Sequence, residues 1–349
     1  MEIAAQALPR NRRVPSWGPW AVYAVALVLV VVLSRATDLN VALLAVVGAI
    51  LAGAAVYLWS RALEGSRRAV DRAATLAVTS SFVVALVPLV SLLVTVIRRG
   101  AERFDVTFFT HSLRNVVGEG GGAVHAIVGT IIITGAAAVV SIPIGILTAV
   151  YLREYGRGKL AAAVTFFVDV TAGIPSIVAG LFAYALFALF LGPGIRLGII
   201  GSVALAVLMI PIIVRSTEEI LRIVPNSLRE ASYALGVPKW KTIVRVVLPT
   251  ALGGIITGVM LAIARVVGET APLLVTTGLI TSVNTNPFAG RMMNLSVFAY
   301  FQYKTPGVPP EPYLARAWAA ALTLIIIVLV LYFVARLVSL RYGRTEIQR

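Results

Sequence analysis

The chain has 349 residues, of which 59% are hydrophobic and only 13% charged, against about 25% charged in a soluble globular domain. A mean hydropathy of +0.93 excludes an ordinary water-soluble enzyme and fits a chain whose solvent is lipid. There is no cysteine, which excludes disulfides and thiolate-ligated metals, and the net charge of +15 raises nucleic acid as a partner until the charges are located.

A helix rises about 1.5 Å per residue, so about 20 apolar residues cross a hydrocarbon core roughly 30 Å thick. Such runs are predicted at 17–33, 39–60, 73–97, 124–151, 165–191, 198–214, 250–276 and 314–335. The first follows Arg10, Arg12 and Arg13 as a secretory leader would. It ends, however, in Leu33-Ser34-Arg35-Ala36, a poor cleavage site, and a second run follows at once. A retained, anchoring hairpin over 17–60 is therefore expected. With the N-terminus inside, twenty of the 30 Lys and Arg fall on the cytoplasmic side and nine outside, while Arg265 stays within a span. That asymmetry predicts both termini in the cytoplasm of a plasma or inner membrane, and it makes the basic charge a mark of topology. Nucleic acid is not expected as a partner.

Between the third and fourth runs, residues 98–122 form an outer loop ending in Gly118-Glu119-Gly120-Gly121-Gly122. The glycines lack the Lys-Ser/Thr ending of a phosphate-binding loop and are expected to be a flexible connector. No such nucleotide loop occurs anywhere, so the chain does not hydrolyse ATP by that machinery. His111 and His125, in and just beyond this loop, have no metal-site spacing and are expected to be scattered loop residues. A second outer loop, 277–313, contains the apolar stretch 292–301, too short to span and predicted to be an interfacial or re-entrant helix.

The long cytoplasmic loop 215–249 is the most informative segment. Asn226 or Ser227 can cap a short helix that Arg229 and Glu230 open, that Ala231, Tyr233, Ala234 and Leu235 continue, and that Gly236 ends with Pro238 close behind. Thirteen residues beyond Gly236, the pair Leu248-Pro249 opens the next span. The pattern Glu230-Ala231-Ser232, Gly236, Val246, Leu248-Pro249 resembles the EAA loop of ABC importer permeases, with Ser232 where that family has alanine and Val246 where it usually has isoleucine. An ordinary basic loop is the alternative, and the joint spacing argues against it. The resemblance implies that Glu230, Ala231, Gly236, Leu248 and Pro249 couple the chain to a separate ATPase subunit.

A narrower resemblance spans residues 70–340. The runs Ile142–Tyr155, Ile174–Phe182, Ser227–Ala231, Leu235–Lys241 and above all Ala262–Leu274 are similar to PstA-type phosphate permeases. This implies an all-α integral membrane protein with a type I ABC importer (MetI-like) core of six transmembrane helices, to which an N-terminal two-helix hairpin is added. It divides the chain into a tail and hairpin (1–68), a permease domain (69–340) and a cytoplasmic tail (341–349). The function implied is the non-enzymatic membrane subunit of an ATP-driven phosphate importer. Its implied partners are a second permease subunit, ATPase subunits that carry ATP and Mg, and an extracytoplasmic phosphate-binding protein. The chain itself is expected to hold no cofactor and no metal.

Charges inside a membrane are costly and point to function. Arg265 lies 16 residues past Pro249, about 24 Å along a helix, and Glu269 follows four residues on, which predicts that both share one face of one helix. A guanidinium offers a planar fork to a tetrahedral oxyanion, so Arg265, paired with Glu269 when empty, is an expected anion station; mutual neutralisation for assembly is the other reading. Pro272 interrupts helical hydrogen bonding and is a candidate gate or hinge. Asp169 is a third pathway candidate, with a structural role at the inner interface as its alternative. Catalytic residues are not expected, since Arg265, Glu269 and Asp169 make no reactive constellation. The competing functions are a permease for sulfate, molybdate or phosphonate, the sister phosphate permease, a secondary transporter and a membrane-embedded enzyme.

Overall fold

The computed structural model describes residues 14–15, 17–36 and 41–343. Arg10, Arg12, Arg13, Arg344 and Arg349 of the charge asymmetry lie outside them. All regular secondary structure among the described residues is helical, with no strand. The chain divides after Val94 into two compact units, a point that falls within α3 (Ser66–Ala101).

In the first unit α1 (Gly18–Ala36) and α2 (Val41–Glu64) form the expected hairpin. Its open end is knotted by the carboxylate of Glu64. That group accepts from the Val14 amide (2.9 Å), the Ser60 hydroxyl (2.8 Å) and Arg72 (2.9 Å). Higher up, the Tyr23 and Ser80 hydroxyls are 3.1 Å apart.

The second unit is built around α5 (Val124–Val150) and α8 (Gly198–Ile223). Ile133, Ala137, Ser141, Gly145 and Ala149 recur every four residues on the buried face of α5. Small residues let helix backbones approach closely where lipid supplies no hydrophobic drive between helices. A Cβ at Gly145 would lie 2.6 Å from Ile213 of α8. The other face of α8 meets α11 (Leu248–Val267), where a Cβ at Gly258 would lie 2.4 Å from the Ser216 hydroxyl. The last helix, α14 (Glu311–Gly343), touches α11 through Ser339, whose hydroxyl reaches the Gly253 carbonyl at 3.5 Å.

Among the described residues seven helices are long and apolar enough to cross a membrane, or eight if the bent pair α6 (Gly158–Ala172) and α7 (Ser176–Leu191) counts as one span. The span expected over 165–191 is broken: it begins earlier, in α6, and the two helices meet at 109°. Pro175 has no amide to continue the ladder, and a residue before proline is driven off helical geometry, so α6 stops and α7 restarts. The pair still makes one passage. α5 ends beside α9 (Asn226–Ala234), whereas α8 begins at the other end of the unit, where the Leu197 amide bonds the Thr276 carbonyl (3.2 Å).

The run 250–276 is corrected as well. Helix α11 ends at Val267, and a separate short helix, α12 (Ala271–Thr276), follows. Proline is tolerated in a first helical turn, and Pro272 stands there, so the break falls before it, at 268–270, and Ala271 is helical. At the other end of α11, the expected loop 215–249 is mostly helix. α8 runs on to Ile223, and α10 (Lys239–Thr242) leads through a π-helical turn, Ile243–Val247, into α11. Pro249 explains that turn: its ring would collide with the carbonyl four residues back, and the widened turn makes room.

The glycine run is not a flexible connector. Arg316, 1% exposed, donates to the Gly118 and Gly120 carbonyls (2.7 and 2.9 Å) and lies over the Tyr313 ring, while Arg103 donates to the Gly121 carbonyl (2.9 Å). A short helix, α4 (Val106–Thr110), packs beneath, and a Cβ at Gly122 would fall 2.4 Å from the Phe108 carbonyl. His125 is likewise no loop residue: it is buried in the first turn of α5, edge-on to Phe298 at 5.5 Å. The short apolar helix is real: α13 (Leu295–Lys304) buries Leu295, Val297 and Phe298.

Candidate functional site

Two places carry the residues singled out by sequence, one at each end of the second unit. At the first, α9 starts after Pro225, which has no side-chain cap; Asn226 instead accepts from Arg229 (3.3 Å). It ends in a Schellman turn. The Gly236 amide bonds the Tyr233 carbonyl (2.9 Å) and the Val237 amide bonds the Ser232 carbonyl (3.2 Å). Gly236 has φ +73°, the left-handed region that only glycine enters without strain, so the glycine is required by the backbone and not by crowding.

Ser232 is buried, and its hydroxyl is 2.8 Å from that of Thr242 in α10, which gives the departure from alanine a physical reason. Glu230, Ala231, Tyr233 and Leu235 are exposed, Leu235 at 83%. Helix α9 thus turns an uncovered apolar face with one carboxylate away from the unit. Leu248 and Pro249 do not share that face. Leu248 packs against Leu221, Val224 and Val247 at the base of α11.

At the second place α11 gives way to α12. Arg265 stands in the last turn of α11, nearer the end than a uniform 250–276 rod implied. A cation there is favoured by the helix dipole. The expectation that Arg265 and Glu269 share a helical face is corrected. The helix stops between them, and among the described residues they form no ion pair. Arg265 is exposed and lies on a stripe of α11 with Thr250, Thr257 and Leu261, which Gly268 continues just past the helix end, all uncovered among the described residues. Pro272 is buried against α7, where a Cβ on Gly180 would lie 2.6 Å from its Cα.

Three residues that sequence reasoning did not select hold this break. The Ser296 hydroxyl donates to the Glu269 carbonyl (2.6 Å), Asn294 donates to Ser296, and the Leu295 amide donates to Thr130 of α5 (2.8 Å). The side-chain amide oxygen of Asn294 is buried without a partner among the described residues. The one signal was the position of Asn294 before a short apolar helix. Nothing local connected it to Glu269, 25 residues earlier.

Asp169 is at neither place. It sits exposed on α6 and pairs with Arg215 of α8, which also holds Glu218 at 2.8 Å. The arrangement braces the broken span against α8.

A lipid-embedded helical unit with a protruding, glycine-stopped helix defines a class. Residues 141–344 match the model of the family described as binding-protein-dependent transport system inner membrane component, and the chain belongs to that family. It is therefore a multi-span membrane permease. Among solved structures, a chain of a bacterial alginate ABC transporter shares the fold with TM-score 0.59 at 14% identity, over 79% of this chain and 96% of that one.

Within the family the chain is similar to the phosphate transport system permease protein PstA 1 of Mycobacterium tuberculosis H37Rv. The two are 49% identical over 283 residues, 80% of this chain and 90% of that protein. PstA of Mycobacterium leprae is 50% identical over 273 residues, 77% and 88% of the two chains. PstA of Yersinia pestis is 36% identical over 282 residues, 80% and 92%.

Proposed function

We propose that the chain is the membrane permease subunit of an ATP-driven importer of inorganic phosphate. The observation that carries this reading is the identity, near one residue in two over four fifths of the chain, to permeases named for phosphate transport. The face of α9 supports it by offering a separate ATPase subunit an apolar helix with a sharp stop. ATP and Mg belong to that partner. A second permease subunit would cover the Arg265 stripe of α11, and an extracytoplasmic phosphate-binding protein would dock at the end carrying α4 and α13. The division into an added hairpin and a permease domain belongs to the same proposal, as do the pathway roles of Arg265, Glu269 and Pro272. Asp169 is better supported as a brace.

The test is uptake by the reconstituted complex. Labelled phosphate accumulates in an ATP-dependent manner, and excess sulfate, molybdate or phosphonate does not displace it. Uptake of one of those anions instead of phosphate would overturn the substrate, and uptake without any ATPase would overturn the class.

Orientation has its own test, made simple by the absence of native cysteine. Cysteine placed at exposed Thr107 or Thr305 reacts with an impermeant maleimide added outside intact cells, and cysteine at exposed Ser66 or Ser227 does not. Labelling at Ser227 from outside would put α9 on the wrong side for an ATPase.

A further inference from the structure

Arg229, on α9, is only 9% exposed, and every N–H of its guanidinium is used. Nε and one Nη2 hydrogen go to Glu154 Oε1 (3.2 and 2.9 Å), and the other Nη2 hydrogen goes to the Leu221 carbonyl (3.1 Å). Nη1 serves the Val224 carbonyl (2.7 Å) and the Asn226 side chain (3.3 Å). The acceptors come from three elements. Leu221 and Val224 are at the end of α8, where helix carbonyls lack intrahelical partners. Asn226 opens α9. Glu154, its side chain 7% exposed, lies in a π-helical turn, Tyr151–Tyr155, that continues α5 toward α6.

A second tether reaches the same turn. Lys239, the first residue of α10, donates to the Glu154 carbonyl, and its ammonium lies 4.8 Å from the centre of the Tyr155 ring. The Ser232–Thr242 contact then ties α9 to α10. The face of α9 that would meet another subunit is free, while its opposite face is bolted to the ends of α5, α8 and α10.

Sequence continuity alone would join α9 to α8 and α10 only. The ion pair adds α5 and, through the π-helical turn, α6. A buried charge pair is a demanding way to hold two helices, since it must offset desolvation by good geometry; what it offers over apolar packing is one defined arrangement. A planar fork with five donors defines that arrangement more narrowly than a point charge does.

We infer that the Glu154–Arg229 pair is the rigid joint through which displacement of α9 moves α5 and α6 together with α8, so that both residues are positioning residues for energy coupling. The inference rests on the reading of α9 as the surface that meets an ATPase. Arg229 and Glu154 touch neither nucleotide nor anion; they set how far the membrane helices follow α9.

The experiment uses the complete complex in vesicles and reads two quantities, binding-protein-stimulated ATP hydrolysis and phosphate taken up per ATP. Glu154→Gln keeps the shape and removes the charge, and Arg229→Lys keeps the charge and removes the fork. In both, hydrolysis stays within about twofold of wild type while uptake per ATP falls by at least ~5-fold, the lower end of measured coupling effects. Wild-type uptake per ATP in both variants overturns the joint. A parallel fall of hydrolysis and uptake also overturns it, because the pair then only holds α9 in shape for docking. If Glu154→Gln does not assemble, Glu154→Asp decides: it keeps the charge and withdraws it by one methylene, and a normal ratio there refutes the inference. A wild-type complex that takes up no phosphate, or retains no ATPase, refutes the functional reading instead and is read before any variant.

Discussion

Arg265→Ala is expected to lower phosphate uptake by at least ~30-fold while leaving assembly and basal ATP hydrolysis near wild type; truncating one member of a desolvated charge contact costs about 2–5 kcal/mol, and each 1.4 kcal/mol is tenfold. A guanidinium near a helix end can reach toward an interface, but an arginine on an otherwise uncharged, uncovered helical stripe is poorly placed against hydrocarbon. That stripe, with Thr250, Thr257, Leu261 and Gly268, is exposed, so it is expected to face protein or water in the proposed importer. On the proposed pathway, an oxyanion passing along it would meet a permanent cation with a fork that matches two of its oxygens. Arg265→Lys retains the charge and loses the fork, so partial uptake is expected. Wild-type uptake by Arg265→Ala in an intact complex would leave the residue as a dipole-compensating helix end. Glu269 has a different place from the one its spacing suggested. Its carbonyl is held by Ser296 beyond the end of α11, so its carboxylate belongs to the turn and not to the helical face of the arginine. Glu269→Gln should accordingly reduce uptake less than loss of the arginine.

Gly236→Val is expected to abolish ATP-driven uptake in a protein that still inserts into the membrane. At φ +73° a β-branched residue is strained by roughly 1–2 kcal/mol, and the two Schellman hydrogen bonds that close α9 depend on that conformation. The surroundings are open, since a Cβ at this position would meet no atom within 4 Å, so the effect is one of backbone conformation and not of collision. Gly236→Asn separates the two causes: asparagine tolerates the left-handed region better, and its complex should recover much of the uptake. Equal loss in both variants would mean that the partner needs the bare glycine surface. Normal uptake in Gly236→Val would remove α9 from the coupling path. Uptake and ATP hydrolysis measured on the same vesicles distinguish these outcomes.

Much of this protein was legible in its sequence because the information is local. An apolar run long enough to cross lipid is a property of consecutive residues, and so are the stop at Gly236, the turn at Pro238 and the spacing to Leu248-Pro249. The hairpin, the passages and α9 followed from such features. The errors arose where a local rule was right but its consequence was placed wrongly. Pro272 does break a helix, yet the break lies upstream because proline fits a first turn, and this parted Arg265 from Glu269. Pro175 does interrupt a span, but only packing sets the bend at 109°.

Other features depend on residues far apart along the chain. Arg316 and Gly118 are 198 positions apart, and a run of glycines read by itself says flexible, whereas a buried guanidinium with two carbonyl acceptors makes it rigid. Asp169 finds Arg215 across 46 positions and Glu154 finds Arg229 across 75. A charge read in sequence shows that a partner or water is needed, because an isolated ion in low dielectric is too costly. Which partner it takes is decided by the helices that packing brings together. Composition and short-range pattern determined that the chain lives in a membrane and where α9 protrudes; the tertiary structure alone decided which charges brace it.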